Sequence, residues 1–194
     1  DARVSLDVRV EEPLLLEFAI CPRGVVTGDG DKWSRQFWEL KSLGARWKSL
    51  KGTTVSTRHY SGNDKVIDWG TEGLGMLRPG KDNLALGMQG VNVSLMSHLP
   101  ATVYQGGFYD QTTASIVPKK QECFIPLFCY CESRDFHDDV RIIDQKLNVT
   151  PATLIKVPFD LQRWSTVAAE KYPNGLPKPY SNYPGESIWI FFSS

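Results

Sequence analysis

Apolar and polar positions alternate at the start of the chain. Val4, Leu6, Val8 and Val10 are separated by Ser5, Asp7 and Arg9, a strand pattern. Pro13 then leads into "LLLEFAI", which predicts one or two helical turns with Leu14, Leu15 and Phe18 facing inward and "CPRG" ending them. Further on, Asp31 is placed to cap a helix from about Lys32 to Leu40. Trp33, Phe37 and Trp38 would form its apolar face. "KVIDW" at 65–69, "GVNVSLM" at 90–96, "TVYQ" at 102–105 and "ASIVP" at 114–118 read as strands. A Gly-rich loop expected to be mobile spans 70–80, and "QGGFYD" at 105–110 reads as a turn or bulge.

The period changes in the second half. Pro126 suits the first turn of a helix through "LFCYCES". Ser133 then caps a second helix, in which Phe136, Val140, Ile143 and Leu147 recur at helical spacing. "ATLIKVPF" at 152–159 reads as a strand. Asp160 caps "LQRWSTVAAEKY" with Leu161, Trp164, Val167 and Ala168 inward, and Pro173, Asn174 and Gly175 stop it. The Pro-rich tail ends in the apolar run "IWIFF". The expected class is α+β: a mixed or antiparallel sheet with flanking helices and long loops.

Composition narrows the function classes. The 194 residues suit one domain or a domain with an appendage, and 41% hydrophobic against 23% charged residues supports a packed core. Basic and acidic side chains balance at 22 each, so nucleic-acid binding would have to come from a local patch. No run of eighteen apolar residues spans a membrane, and no signal-peptide layout is present. The chain therefore reads as cytoplasmic, with no membrane partner. It begins at Asp and enters a strand pattern at once, as expected of a piece of a longer protein.

Several catalytic or metal constellations are incomplete. "GDGDKW" lacks the alternating acids and closing Glu of a calcium loop, and it has neither the third Gly of a dinucleotide loop nor a Walker lysine. It reads as a tight turn that starts a helix. Cys123, Cys129 and Cys131 with His137 offer four zinc-type ligands. However, the C-x-C spacing and the apolar "FIPLFCYC" favour buried core cysteines, with Cys21 a fourth free thiol. Asp135, His137, Asp138 and Asp139 flank an amphipathic face and read as its solvated side rather than a nuclease centre. No G-x-S-x-G elbow accompanies His59, His98 and His137. Asn92-Val-Ser and Asn148-Val-Thr match the glycosylation acceptor but follow no secretory signal.

The window from Arg46 to Lys65 is the most basic in the chain. Arg46, Lys48, Lys51, Arg58, His59 and Lys65 interleave with Trp47 and Tyr60. Cations neutralise phosphates, and aromatic rings stack on or wedge against bases.

"TGDGDKWSRQFWEL" resembles the entry to the target-recognition region of adenine-specific N6 DNA methyltransferases of the restriction-modification and phage-defence group. There a T-G-(D)-(D/N)-D-(K/R)-(F/W)-x-R-x-(F/W)-W-E pattern recurs. "QGVNVSLMSHLPATVYQGGFYDQTTASIVPK", "FCYCESRDFHDDVRIIDQKLNVTPATLIKVPFDLQRW" and "VAAEKYPNGLPKPYSNYP" are similar to later parts of that region, in the same order, over roughly residues 14–184. The resemblance divides the chain into 1–13, a strand or linker from an upstream part; 14–184, the target-recognition-like domain; and 185–194, an atypical tail. It implies a parent enzyme that transfers a methyl group from S-adenosylmethionine to the N6 of a flipped adenine. The family's (N/D)-P-P-(Y/F) motif is absent, since no Pro-Pro occurs here, and so is its Gly-rich cofactor motif. The implied role is therefore recognition of double-stranded DNA beside a methyltransferase domain, with no cofactor of its own. Lys48, Lys51, Arg58 and Lys65 are the candidate phosphate contacts, and Arg58, Gln105 and Gln111 the candidate base readers. His59 and Ser94 complete the set. The alternative is a structural or protein-interaction module of the same system, with Trp47, Tyr180, Tyr183 and Trp189 as interface aromatics.

Overall fold

The computed structural model describes residues 12–55, 57 and 59–179. The expected strand at 4–10, the tail beyond 179 and the side chain of Arg58 lie outside the described residues. Within them the fold is α+β, with helices and two four-stranded sheets.

The larger sheet is antiparallel in the order β1 (Ala19–Ile20), β8 (Thr113–Pro118), β5 (Gly90–Ser94), β6 (Ala101–Tyr104). Its register sets Val91 between Val103 and Ile116, and Val93 between Ala101 and Ala114. This apolar face packs against α3 (Phe124–Cys131), which also contacts α6 (Leu161–Lys171) and α4 (Arg134–Ile143). Val91, Val93, Phe128, Phe136 and Val140 are fully buried in that core. Each such side chain contributes about 1.5–3 kcal/mol by leaving water. The opposite face is polar yet also buried: Asn92, Ser94, Thr102, Thr113 and Ser115 have almost no solvent exposure. Hydrogen bonds offset most of the cost, although the Asn92 Oδ1 has no partner among the described residues. The Asn92 amide donates to the Thr113 hydroxyl at 3.2 Å and to that of Ser115 at 3.0 Å. The first glycosylation acceptor thus sits in the middle of a buried strand.

The smaller sheet has the order β2 (Ser34–Gln36), β4 (Lys65–Asp68), β3 (Trp47–Lys51), β7 (Phe108–Tyr109), with β3 and β7 parallel. It corrects the expected helix at 32–40. Only Gly30–Trp33 is helical (α2), and its cap is Asp29, whose carboxylate accepts from the Lys32 amide at 3.0 Å. The next three residues pair with β4 as β2, and Phe37–Glu39 form a short 3-10 turn. Trp33 and Phe37 join different clusters, Trp33 with Leu50 and Ile67, Phe37 with Val66. Adjacent β4 residues point to opposite faces, so the two aromatics cover opposite sides of the small sheet, and Trp38 is left 58% exposed.

Caps set the C-terminal helices. The Ser133 hydroxyl accepts from the Phe136 amide at 3.3 Å, and the Asp160 carboxylate from the Arg163 amide at 3.0 Å. The expected strand at 152–159 is corrected as well. Thr150 caps a turn of helix, Pro151–Leu154 (α5), with Pro at its start. The segment after it hydrogen-bonds through the carbonyls of Ile155 and Val157 to α1 (Leu15–Phe18). α4 stops at Ile143, so the apolar stripe does not extend as expected: Ile143 and Leu147 are exposed. None of the helices in the described residues is long and apolar enough to cross a membrane.

Candidate nucleic-acid interface

The basic window folds as β3, a connecting segment at 52–64, and β4. Alternation along β3 decides which of its cations reach solvent. Lys48 is exposed and stands on the same face as Ile67, Leu50 and Lys65 by cross-strand register. Lys65 is half-buried, and its side-chain carbons lie alongside Gly52. Just before the strand, the exposed Arg46 guanidinium grips Asp68 at 2.5 and 2.8 Å and stands 5.7 Å from the Trp47 ring centre. That guanidinium also holds the Asp68 carboxyl below the usual carboxylate range. The exposed Arg35 sits opposite Val66 on β2.

Lys51 and Ser94 are turned inward. Lys51 is only 4% exposed, because residues 59–63 lie over the end of β3. Its ammonium donates to the Ser61 carbonyl at 2.7 Å and lies 3.4 Å from the Asn63 amide oxygen. Burial pushes its pKa down to about 7, with Asp64 opposing the shift. A phosphate would meet this amine only if the covering segment lifted. Ser94 lies on the buried polar face of β5, where its hydroxyl accepts from the Thr54 amide at 3.0 Å and donates to the Thr54 carbonyl at 3.3 Å. Neither residue presents a polar group to a DNA surface in this conformation.

His59 is half-buried and forms part of a network that residue spacing did not reveal. Its ring stacks on Phe128 with centroids 5.4 Å apart, and its Nε2 is 3.0 Å from the Tyr172 hydroxyl. Tyr172 donates to Glu132 at 3.2 Å, and Lys171 donates to the same carboxylate at 2.7 Å. The phenol has one proton and gives it to the carboxylate, so the imidazole donates to Tyr172 through Nε2. This chain ties the basic window to α3 and α6.

Gln105 and Gln111 are exposed on either side of β7. The turn carrying Gln111 is fastened to the end of β3: the Asp110 amide donates to the Lys51 carbonyl at 3.0 Å, and the hydroxyls of Thr53 and Thr112 are 2.5 Å apart. Lys48, Lys65, Gln105 and Gln111 therefore belong to one sheet and its turns, although they are far apart in sequence. Trp47, expected as an interface aromatic, is half-buried against Phe37 and Val66.

Other candidate chemistry resolves into structural contacts. The Tyr130 hydroxyl donates to Asp139 at 2.7 Å, Asp135 pairs with Arg163 at 2.6 Å, and Asp138 accepts from Arg134. Cys123, Cys129 and Cys131 are buried. Among the described residues, no group of three or more His, Cys, Asp or Glu side chains is placed to hold a metal ion. No protein-family model matches the chain, and no curated protein matches it.

Proposed function

We propose that this chain is the sequence-specific DNA recognition domain of an S-adenosylmethionine-dependent adenine-N6 DNA methyltransferase, with methyl transfer carried out by another part of the parent protein. The observation that carries the reading is the small sheet. It displays the exposed Lys48 on one face and the exposed Arg35 on the other, and it carries Gln105 and Gln111 on its turns. Lysine and arginine of this kind hold a phosphate backbone, while exposed glutamines form paired hydrogen bonds to adenine in the major groove. The resemblance of residues 14–184 to target-recognition regions supports the same conclusion. Lys51 and Ser94 leave the contact set because they are buried.

The test is fluorescence anisotropy with duplex DNA over a salt series. Lys48→Ala should weaken binding to all sequences alike and reduce the salt slope by about one. Gln111→Ala should instead relax sequence preference. An unchanged slope for Lys48→Ala removes the assignment.

A second reading, a protein-interaction module of the same system, is favoured by Leu74, Leu77 and Leu84, which are 80%, 78% and 71% exposed on the 70–90 segment. Retention of the methyltransferase part by the wild type and its loss in Leu77→Ser, with DNA binding unaffected, would select it.

A further inference from the structure

A cleft of about 510 Å³ lies between Pro22 and Arg23 on one wall and residues 78–84 on the other. That volume is in the range of small-ligand sites. Its walls are joined before any ligand arrives. Val26 and Arg78 exchange backbone hydrogen bonds at 2.9 Å, and the Arg78 Nε donates to the Gly24 carbonyl at 3.0 Å. The Asn83 amide donates to the Arg23 carbonyl and to the Tyr109 hydroxyl, each at 3.0 Å, and Tyr109 donates to the Pro22 carbonyl at 2.9 Å. Gly24 permits this closeness: a Cβ there would stand 2.5 Å from the carbonyl oxygens of Tyr109 and Asp110.

The charges in this cleft are unevenly matched. Lys81 is paired with Glu72 at 3.1 Å, and the exposed Asp82 offsets one further cation. Arg23 and Arg78 then leave a net single positive charge. The Arg23 guanidinium has no hydrogen-bond or ion-pair partner among the described residues, and Arg78 engages only through Nε, so both of its terminal nitrogens remain available. Two guanidinium forks on facing walls suit a tetrahedral oxyanion. Pro22, Pro79 and Leu84 supply apolar surface for a sugar or base beside it. The remaining charge matches a phosphodiester, which carries one negative charge.

We infer that this cleft is a phosphodiester subsite, in which Arg23 and Arg78 hold one nucleic-acid phosphate and the prolines pack against the adjoining sugar. The inference rests on the DNA-recognition reading but places a backbone contact outside the β3 window.

The experiment uses the full chain, wild type and Arg23→Gln, with folding checked by thermal melting; the Arg23 side chain makes no hydrogen bond or ion pair among the described residues, so the variant should melt as the wild type does. Duplex DNA binding is measured over a salt series, and the dinucleotide thymidylyl-thymidine is titrated by amide NMR. The expected result is a loss of about tenfold in duplex affinity, a salt slope lower by about one, and dinucleotide shifts centred on the amides of residues 23–24, 78 and 80–84 that disappear in Arg23→Gln. If duplex DNA binds both forms equally, the subsite is overturned while the DNA reading stands. If duplex DNA fails to bind but the dinucleotide still shifts those amides, the subsite stands and the DNA reading falls. If neither probe binds, both fall.

Discussion

Replacing Lys51 by methionine removes a buried amine and leaves a chain of similar length. In the folded protein this amine has a pKa of about 7, lowered by burial, whereas an unfolded lysine titrates near 10.4. Between those values the unfolded state holds more protons, so stability gained from this site rises with pH. The penalty for burying the charge is fully present below pH 7 and is gone above about pH 10.5. A difference of roughly 3.5 units corresponds to about 5 kcal/mol over the whole window, and about 3 kcal/mol of it falls between pH 7 and pH 10.

Other groups act in the opposite direction over the same range. Burial pushes the Tyr109 phenol up to about 12 and raises the phenols of Tyr104 and Tyr130, so deprotonation favours the unfolded chain as pH climbs. The wild-type profile alone is therefore ambiguous, and the difference from Lys51→Met isolates the lysine. Urea unfolding of both proteins at half-unit steps from pH 6.5 to 10 is the assay. Lys51→Met should be the more stable protein at pH 7, with an advantage that shrinks by about 3 kcal/mol by pH 10. A constant difference across that range would refute the reasoning, because it would mean that Lys51 keeps an ordinary pKa and reaches water.

Asp160→Ala should destabilise the fold by about 1 kcal/mol, read as a lower urea midpoint with an unchanged slope, because α6 loses the carboxylate that caps its Arg163 amide. The thiols offer a separate check. Burial pushes Cys21 up to about 12, Cys129 to about 11 and Cys131 well above its usual value. Ellman's reagent at pH 8 should therefore register Cys129 and Cys131 only after unfolding, and rapid reaction of either in a Cys21→Ser background would contradict the packing of α3.

What the sequence determined by itself was local. The alternation in "GVNVSLM" and "ASIVP" specified β5 and β8, because a period of two with branched side chains suits a pleated strand. Ser133 and Asp160 marked helix starts correctly, since a side-chain cap acts within three residues of itself. The Thr150-Pro151 pair is an equally local start signal for α5, which the strand reading of 152–159 did not use.

Only the tertiary structure decided which partner each segment found. Ser34–Gln36 had helical spacing around it, but pairing with Lys65–Ile67 offered ladder hydrogen bonds and let the flanking Trp33 and Phe37 bury on opposite faces of the sheet, and strand won. Lys51 and Lys48 are three residues apart on one strand and look alike in sequence. One is sealed under residues 59–63, and the other faces water. The His59–Tyr172–Glu132 network and the cleft between Arg23 and Arg78 join residues 40 to 113 positions apart or on opposite sides of a loop. Caps and periodicity are set by neighbours along the chain. Burial, pairing and charge balance are set by what the folded chain brings near, and these decided which of the candidate DNA contacts are exposed.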